Sequence, residues 1–167
     1  AATHDGLTNL PNRPLLLDRM STALSSLPRT RDLMAVIYMD VDNFKVINDR
    51  FGHAMGDAVL ISVAQRLRML TREGDTAARI SGDEFVLVLT GVDERWDADE
   101  FHRRLTSAVS GPIDHEGISL NVSISAGVAM ARSNDRTPDE LLHDADLALY
   151  ASKATGKGRL TVFTEDL

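Results

Sequence analysis

Hydrophobic residues lie three and four positions apart in several segments of this chain, which is the pattern of one face of an α-helix. A further helix is predicted over residues 137–155, because Thr137 and Glu140 have the spacing of a capping box at its start. A short helix precedes Gly52, which ends it. The predicted helices cover residues 14–27, 43–49, 55–70, 95–109 and 137–155.

Short apolar runs between the helices predict strands. Residues 33–39 are almost wholly apolar, which is typical of a buried central strand. Apolar and more polar residues alternate over 118–130, so this segment is predicted to be one long strand with a single buried face. Residues 77–80 and 85–89 are predicted to form a hairpin, and 160–163 an edge strand. Hairpins mixed with helical crossovers favour an α+β fold: a central sheet with helices packed on it.

Acidic residues follow two of these runs. Asp40 and Asp42 come directly after the central strand, and Asp83 and Glu84 lie in the turn of the hairpin. Carboxylate oxygens are the ligands that Mg²⁺ prefers, usually one or two of them together with substrate phosphates. The two clusters can meet only if the central strand lies beside the hairpin. The alternative is an ordinary turn with solvated acids, since Gly and Asp dominate such turns.

Composition limits the class of protein. The chain has 167 residues, of which 43% are hydrophobic and 26% charged, as expected for one globular domain over 1–167. Its formal charge of -7 disfavours binding to nucleic acid or anionic lipid. There are no cysteines, and no apolar run is long enough to cross a bilayer. We expect a soluble, cytoplasmic domain without membrane contact of its own, excised from a longer protein that can carry a membrane anchor elsewhere.

Five segments carry a connected set of motifs: residues 5–13, 40–49, 51–57, 79–85 and 145–157. In order and spacing, these segments resemble the GGDEF domain of diguanylate cyclases. Two positions depart from the family pattern, because Asn9 and Ser81 each stand where the family has glycine. The resemblance implies the ferredoxin-like fold of nucleotide cyclases and polymerase palms, with a mostly antiparallel sheet of about five strands.

The resemblance implies a reaction: two GTP molecules condense to cyclic di-GMP and two pyrophosphates. Each domain holds one GTP, so the implied catalytic unit is a homodimer of facing domains. The implied cofactor is Mg²⁺, with Mn²⁺ as a possible substitute, held by Asp40, Asp83 and the carbonyl of Val41. Glu84 is implied as the companion acid, either a ligand of a second metal ion or the base for the attacking 3′ hydroxyl.

The family pattern also implies residues that bind the nucleotide. The guanine is assigned to Asn48 and Asp57, with His53 in the same segment, and a carboxylate can accept hydrogen bonds from the N1 and N2 of guanine. The alternatives are a structural role for His53 and a stabilising acid at a helix start for Asp57. Without the family motif, Lys153 and Lys157 would be interpreted as cations at a helix C-terminus. The phosphates are assigned to the backbone amides of Asn43 and Phe44 and to the side chains of Lys45, Lys153 and Lys157.

A product site is implied by Arg72 and Asp75, which match the R-x-x-D pattern at the family's distance before the signature. An arginine fork and a carboxylate can both bind a guanine edge, so feedback by cyclic di-GMP is chemically reasonable. The alternative is a surface salt bridge.

Ser81 leaves the level of activity open. If its position requires a positive φ or close approach of the backbone to phosphate, serine lowers activity. The alternative function is therefore a weak or inactive regulatory domain that binds GTP or cyclic di-GMP, fused to a C-terminal EAL phosphodiesterase domain. Sensory domains are the other expected neighbours. A purely structural module would leave Asp40, Asp83, Asn48 and Asp57 without a reason to occur together.

Overall fold

The computed structural model describes residues 2–167, and this part of the chain forms five helices and seven strands. The helices are α1 (Arg13–Thr30), α2 (Phe44–Phe51), α3 (His53–Leu70), α4 (Ala98–Val109) and α5 (Pro138–Ala154). The strands are β1 (Leu33–Val41), β2 (Thr76–Ser81), β3 (Glu84–Val92), β4 (Ile113–His115), β5 (Ile118–Leu120), β6 (Ile124–Ala131) and β7 (Leu160–Val162).

Five of the strands form one sheet in the order β2-β3-β1-β6-β7. The central strand β1 is buried along its whole length, as its apolar sequence predicts, and pairs antiparallel with both β3 and β6. Only the pairing of β6 with the edge strand β7 is parallel. The predicted α+β fold with a mostly antiparallel five-stranded sheet is thus confirmed.

Helices cover both faces of the sheet, and alternate residues of β1 belong to different cores. Ile37 and Met39 point to the face covered by α3 and α4, where α2 also packs. Val36 and Tyr38 point to the opposite face, which is covered by α1 and α5. Because side chains alternate along a strand, the odd-numbered residues of β1 face α3 and α4, and the even-numbered residues face α1 and α5.

One predicted strand is wrong. Residues 118–130 do not form a single strand, because β5 pairs with β4 in a separate two-stranded sheet and only β6 joins the main sheet. The segment between them is irregular, and the carbonyl of Ser123 accepts from the amide of Asp42 at 2.9 Å. The apparent alternation in β6 arises from small residues, not from an exposed face, since nearly every residue of this strand is buried.

A second difference concerns the start of α4. This helix was predicted from residue 95, but Asp97 caps it by accepting hydrogen bonds from the amides of Asp99 and Glu100. Trp96 therefore precedes the helix, and its ring packs 5.7 Å from that of Phe101. Capping by a carboxylate satisfies amides that have no partner in the first turn, which fixes the helix start at this point.

The small residues of β6 allow α5 to pack directly on the sheet. At Gly127 an added Cβ would lie 2.2 Å from both the carbonyl oxygen of Ala145 and the amide nitrogen of Leu149. Both contacts are to helix backbone, which cannot move aside as a flexible side chain can. Gly127 thus sets the distance between α5 and the sheet.

We expect Gly127→Ala to destabilise the fold by about 3 kcal/mol or more, because overpacking here must displace a whole helix. For a domain of this size, that loss corresponds to a fall of about 6–12 °C in the melting temperature. Gly6→Ala is the matched control, since a Cβ at Gly6 meets no atom within 4 Å and its φ is not positive. Equal melting temperatures for the two variants would contradict the packing argument.

Candidate active site

The pairing of β1 with β3 brings the two acidic clusters together. Their register sets Met39 opposite Phe85 and Asp40 opposite Glu84, so the tip of the β2–β3 hairpin lies beside the end of β1. Arg79 braces this tip by donating to the carbonyl of Gly82 at 2.9 Å and to the carboxylate of Asp5 at 3.0 Å. The predicted meeting of the clusters is therefore what the structure shows.

Asp40 is a buried carboxylate, only 6% exposed, on the α1 and α5 face of the sheet. Lys153 donates a hydrogen bond to its Oδ2, whereas Oδ1 is buried and has no hydrogen-bond partner among residues 2–167. Burial raises the pKa of Asp40, Lys153 partly offsets this, and the negative charges of Asp83 and Asp42 raise it further. An unsatisfied buried carboxylate oxygen is costly, so this atom is a ready ligand for a cation.

Asp83 is half-buried at the hairpin tip, and burial raises its pKa as well. Hydrogen bonding from backbone groups of Asp83 and Val41 and the charge of Lys153 partly offset that rise. Both carboxylates and the Val41 carbonyl offer hard oxygen donors, which fit Mg²⁺ or Mn²⁺. Within residues 2–167 no three Asp, Glu or His side chains converge on one point. Such a site matches the way Mg²⁺ is usually held, by few carboxylates plus waters and phosphates.

Asp42 has a different environment from Asp40, although the two are neighbours in the sequence. Its carboxylate accepts hydrogen bonds from the hydroxyls of Ser123 and Ser125 and from the amide of Gly158. It thereby ties the end of β1 to β6 and to the loop after α5. Asp42 therefore anchors the end of β1, and its oxygens are already occupied by donors within the chain. Its position in the sequence did not reveal this role.

The residues assigned to guanine lie at the corner between α2 and α3, on the other side of the sheet from Lys153. The Oδ1 of Asn48 is buried there without a hydrogen-bond partner among the described residues. Gly56 makes this possible, because a Cβ at that position would lie 1.9 Å from the same oxygen. His53 and Asp57 are exposed in the first turns of α3. Sequence reasoning assigned no role to Gly56, although the family pattern contains it.

The basic residues at the end of α5 reach back to the segment after β1. Lys153 pairs with Asp40, and Lys157 donates to the Oδ1 of Asn43 at 2.8 Å. Burial opposes the positive charge of Lys153, but the hydrogen bond to Asp40 and its charge outweigh this and raise the pKa of the lysine. Both lysines therefore bind particular side chains, Asp40 and Asn43, and do not merely lie near the C-terminus of the helix.

Asn43 precedes α2 in a left-handed conformation, with φ of 58°. Its own amide and that of Phe44 lie at the open end of this helix, where the first amides have no partner within the helix. Lys45 is exposed on the first turn. The residues assigned to phosphate are therefore grouped around one helix start, close to the end of α5.

Ser81 does not adopt the conformation that would penalise serine. The residue with positive φ in the turn is Gly82, at 49°, and Ser81 is absent from the described residues with positive φ. The hydroxyl of Ser81 instead donates to the Oε1 of Glu84 at 3.2 Å. At the other departure from the family pattern, Asn9 has φ of 61°. Asparagine tolerates this region better than most residues, so it replaces glycine there at little cost.

Arg72 and Asp75 form an ion pair with each other, as the alternative to a product site predicted. The amide and Nε of Arg72 donate to the Oδ2 of Asp75 at 3.0 and 3.4 Å, and its Nη2 donates to the carbonyl of Thr90 at 3.0 Å. The Asp75 side chain is almost fully buried, whereas that of Arg72 is 64% exposed. Asp75 also accepts from the amide of Thr90, so it is already satisfied within the chain.

The same pair lines a cavity of about 360 Å³ between the far end of β3 and α4. Arg95, Trp96 and Arg104 line it too. Three arginines and an indole ring suit a ligand with phosphates and flat bases. Sequence reasoning missed these three residues because they lie on elements distant from the R-x-x-D pattern in the chain.

Comparisons with known proteins show the family to which this fold belongs. The family described as "Diguanylate cyclase, GGDEF domain" matches residues 2–159. The curated diguanylate cyclase TpbB of Pseudomonas aeruginosa is 40% identical over 158 residues, which are 94% of this chain and 36% of TpbB. The bifunctional diguanylate cyclase/cyclic di-GMP phosphodiesterase MucR of the same species is 39% identical over 166 residues, 99% of this chain and 24% of MucR.

Solved structures give the same result. The GGDEF domain of TpbB superimposes with a TM-score of 0.90 and 38% identity, covering 96% of this chain and 94% of that one. The GGDEF domain of DgcB from Caulobacter crescentus, in complex with c-di-GMP, has a TM-score of 0.84 and 31% identity, covering 97% and 93%. The chain therefore belongs to the GGDEF domain family of diguanylate cyclases. It spans about a third or less of the length of the curated relatives given above.

The helices of residues 2–167 include none with the length and hydropathy that a membrane span requires.

The raised pKa of Asp40 predicts a stability that depends on pH. A folded-state pKa above the ordinary value of 3.8 means that ionised Asp40 costs stability, and this cost is present above the folded pKa and disappears below pH 3.8. We therefore expect Asp40→Asn to melt at a higher temperature than the wild type at pH 7 with a chelator present. The gain should shrink as the pH falls towards 3.8. Each 1 kcal/mol would appear as a shift of about 2–4 °C.

Asp42→Asn is the matched control for this experiment. Asp42 accepts three hydrogen bonds, whereas an amide would offer only one oxygen to the same donors. This variant should melt at a lower temperature than the wild type. A lower melting temperature for Asp40→Asn at pH 7 would contradict the assigned cost of the Asp40 charge.

Proposed function

We propose that this chain is the catalytic domain of a diguanylate cyclase that converts two GTP molecules into cyclic di-GMP and two pyrophosphates. The observation that carries the proposal is the meeting of Asp40 and Asp83, with a buried carboxylate oxygen left without a partner. Membership of the GGDEF family supports it. Each of the two 3′ oxygens attacks the α-phosphorus of the facing nucleotide, and the bond to its β-phosphate breaks.

A divalent metal is the general cofactor of the family, and we assign Mg²⁺, with Mn²⁺ as a substitute, to Asp40, Asp83 and the Val41 carbonyl. When bound, the ion neutralises phosphate charge and lowers the pKa of a hydroxyl placed against it. Asp40 is oriented for this role by Lys153, which occupies its Oδ2 and leaves Oδ1 free. Glu84 is assigned to the attacking hydroxyl as base or as a ligand of a second ion, and both roles need its carboxylate ionised.

The nucleotide is assigned to two groups of residues. Asn48, Asp57 and His53 hold the guanine, and the unpaired oxygen of Asn48 supports this because base readout needs an unsatisfied acceptor. The phosphates are placed at the start of α2 and against the basic residues there and at the end of α5, which are Asn43, Phe44, Lys45, Lys153 and Lys157. One domain then holds one GTP, so turnover requires a homodimer.

Asp83→Ala should abolish the formation of cyclic di-GMP while changing the melting temperature little, because the side chain lies at a hairpin tip outside both cores. Glu84→Ala should also abolish it. The test is to incubate the chain at high concentration with GTP and Mg²⁺ and to measure cyclic di-GMP and pyrophosphate. Absence of product from the wild type would overturn the proposed activity, and wild-type rates in Asp83→Ala would overturn its catalytic assignment.

Gly56→Ala tests the guanine site through packing. The new Cβ must displace the Asn48 side chain, which is flexible, so we expect stability to be kept while GTP binding weakens by about tenfold, the equivalent of about 1.4 kcal/mol. Asn48→Ala and Asp57→Ala should have similar effects. Calorimetric titration with GTP and ATP is the measurement. Equal losses for both nucleotides would argue against base readout.

Product feedback at Arg72 and Asp75 is part of the proposal, supported by the arginine-lined cavity around them. This cavity lies at the Val92 end of β3, whereas Glu84 begins the strand. Eight residues at about 3.3 Å each separate the two sites by about 26 Å. The partner would be the product, cyclic di-GMP.

Arg72→Ala should therefore relieve inhibition by cyclic di-GMP without raising the KM for GTP. Titration calorimetry with cyclic di-GMP measures the site directly. Arg136→Ala, before α5, where the side chain bonds to Asp144, is a control for loss of an arginine elsewhere. If the wild type binds no cyclic di-GMP at tens of micromolar, Arg72 and Asp75 are a surface ion pair only.

The second candidate is a regulatory domain that binds GTP or product without turnover, next to a C-terminal EAL domain or a sensory domain. The similarity to MucR favours the neighbouring phosphodiesterase domain of this candidate, since this chain matches only 24% of that protein. MucR is named as a cyclase too, so the similarity does not favour loss of turnover. GTP binding by calorimetry together with absence of product would select this candidate over the cyclase.

A further inference from the structure

Glu84 receives two hydrogen bonds on one oxygen atom. The hydroxyl of Tyr38 donates to Oε1 at 3.3 Å, and the hydroxyl of Ser81 donates to the same atom at 3.2 Å. Among residues 2–167, no side chain or backbone group donates to Oε2. The carboxylate is thus held at one end, and the other oxygen remains free for a further partner.

The two donors come from opposite sides of Glu84. Tyr38 lies on β1 two residues before Asp40, which is the cross-strand partner of Glu84, so it is a diagonal neighbour within reach of a long side chain. Ser81 ends β2 on the other side, where the register shifts between Arg79 and Ser81. Two donors from two strands restrict the carboxylate rotation more than either donor alone.

Tyr38 is suited to be a permanent donor. It is 7% exposed and packs in the core under α1 and α5, so its ring is fixed. Burial raises the pKa of Tyr38, and the charges of Glu84 and Asp146 raise it further, so its hydroxyl keeps its proton. Ser81 is exposed, and its contribution depends on a hydroxyl that glycine at this position would lack.

We propose that Tyr38 and Ser81 are positioning residues that clamp Oε1 of Glu84 and so direct Oε2 towards the reacting nucleotide. This inference rests on the proposed cyclase function. It gives the departure from the family pattern at residue 81 a role, since the serine adds a second donor to the companion acid. Both distances are longer than an ideal O–H···O bond, as is common for catalytic contacts before substrate binds.

The test compares four variants of the 167-residue chain with the wild type. Tyr38→Phe and Ser81→Ala each remove one donor, Ser81→Thr keeps the hydroxyl, and Ser110→Ala removes a serine hydroxyl that bonds only within the end of α4. One measurement is steady-state kcat and KM for GTP. The second is the ¹³C resonance of the Glu84 carboxylate by NMR, in chain without nucleotide or metal, at constant pH.

We expect Tyr38→Phe and Ser81→Ala each to lower kcat by about 3- to 10-fold with KM for GTP within about twofold, where tenfold corresponds to about 1.4 kcal/mol of barrier. The Glu84 resonance should move in both. Ser81→Thr should restore kcat and resonance, and Ser110→Ala should change neither.

Several results would overturn the clamp. These are an unchanged kcat in Tyr38→Phe and Ser81→Ala, a lower kcat with an unmoved Glu84 resonance, or a change confined to KM. If the wild type makes no cyclic di-GMP, the proposed function fails on its own, and the resonance alone then decides the clamp: movement in both variants supports it and no movement overturns it.

Discussion

The antiparallel register of β1 and β3 is the constraint on which the site depends. Asp40 lies opposite Glu84 because hydrophobic residues on both strands must alternate between two cores, with Met39 and Phe85 on one side. A shift by one residue would turn Asp40 into the core under α3 and send a hydrophobic side chain to the site. The positions of the acids are therefore set by burial of their apolar neighbours, along a strand that is covered on both faces.

Much of the fold and the meeting of the acids could be predicted because they follow from local patterns. The apolar run of β1 and the turn at Gly82 are strong signals, and the motif spacing located every assigned residue. The roles of those residues stay predictions. Their surroundings were harder to foresee: the orphaned oxygen of Asp40 and the packing of Gly56 on Asn48 arise from elements distant in the chain.

The errors also have physical causes. Residues 118–130 looked like one strand because small residues in β6 mimic a polar face, whereas they are small so that α5 can approach. The anchoring role of Asp42 could not be foreseen, because the two serine hydroxyls that satisfy it, in and just before β6, lie more than eighty residues away. For Ser81, the cost tied to a positive φ does not arise, because Gly82 has that conformation instead, and the cost tied to close approach of phosphate stays a prediction.

The sheet separates two hydrophobic cores, and substitutions in one core act on different parts of the site from substitutions in the other. Asp40 and Lys153 belong to the layer of α1 and α5, whereas Asn48 and Gly56 belong to the layer of α2 and α3. A nucleotide bound as proposed would reach around the end of the sheet, with its base on the layer of α2 and α3 and its phosphates between the start of α2 and Lys153 of the other layer. Substitutions that repack the core under α3 would then alter the base site and leave Asp40 and Lys153 in place. Base preference could drift in evolution while the phosphoryl-transfer apparatus is preserved.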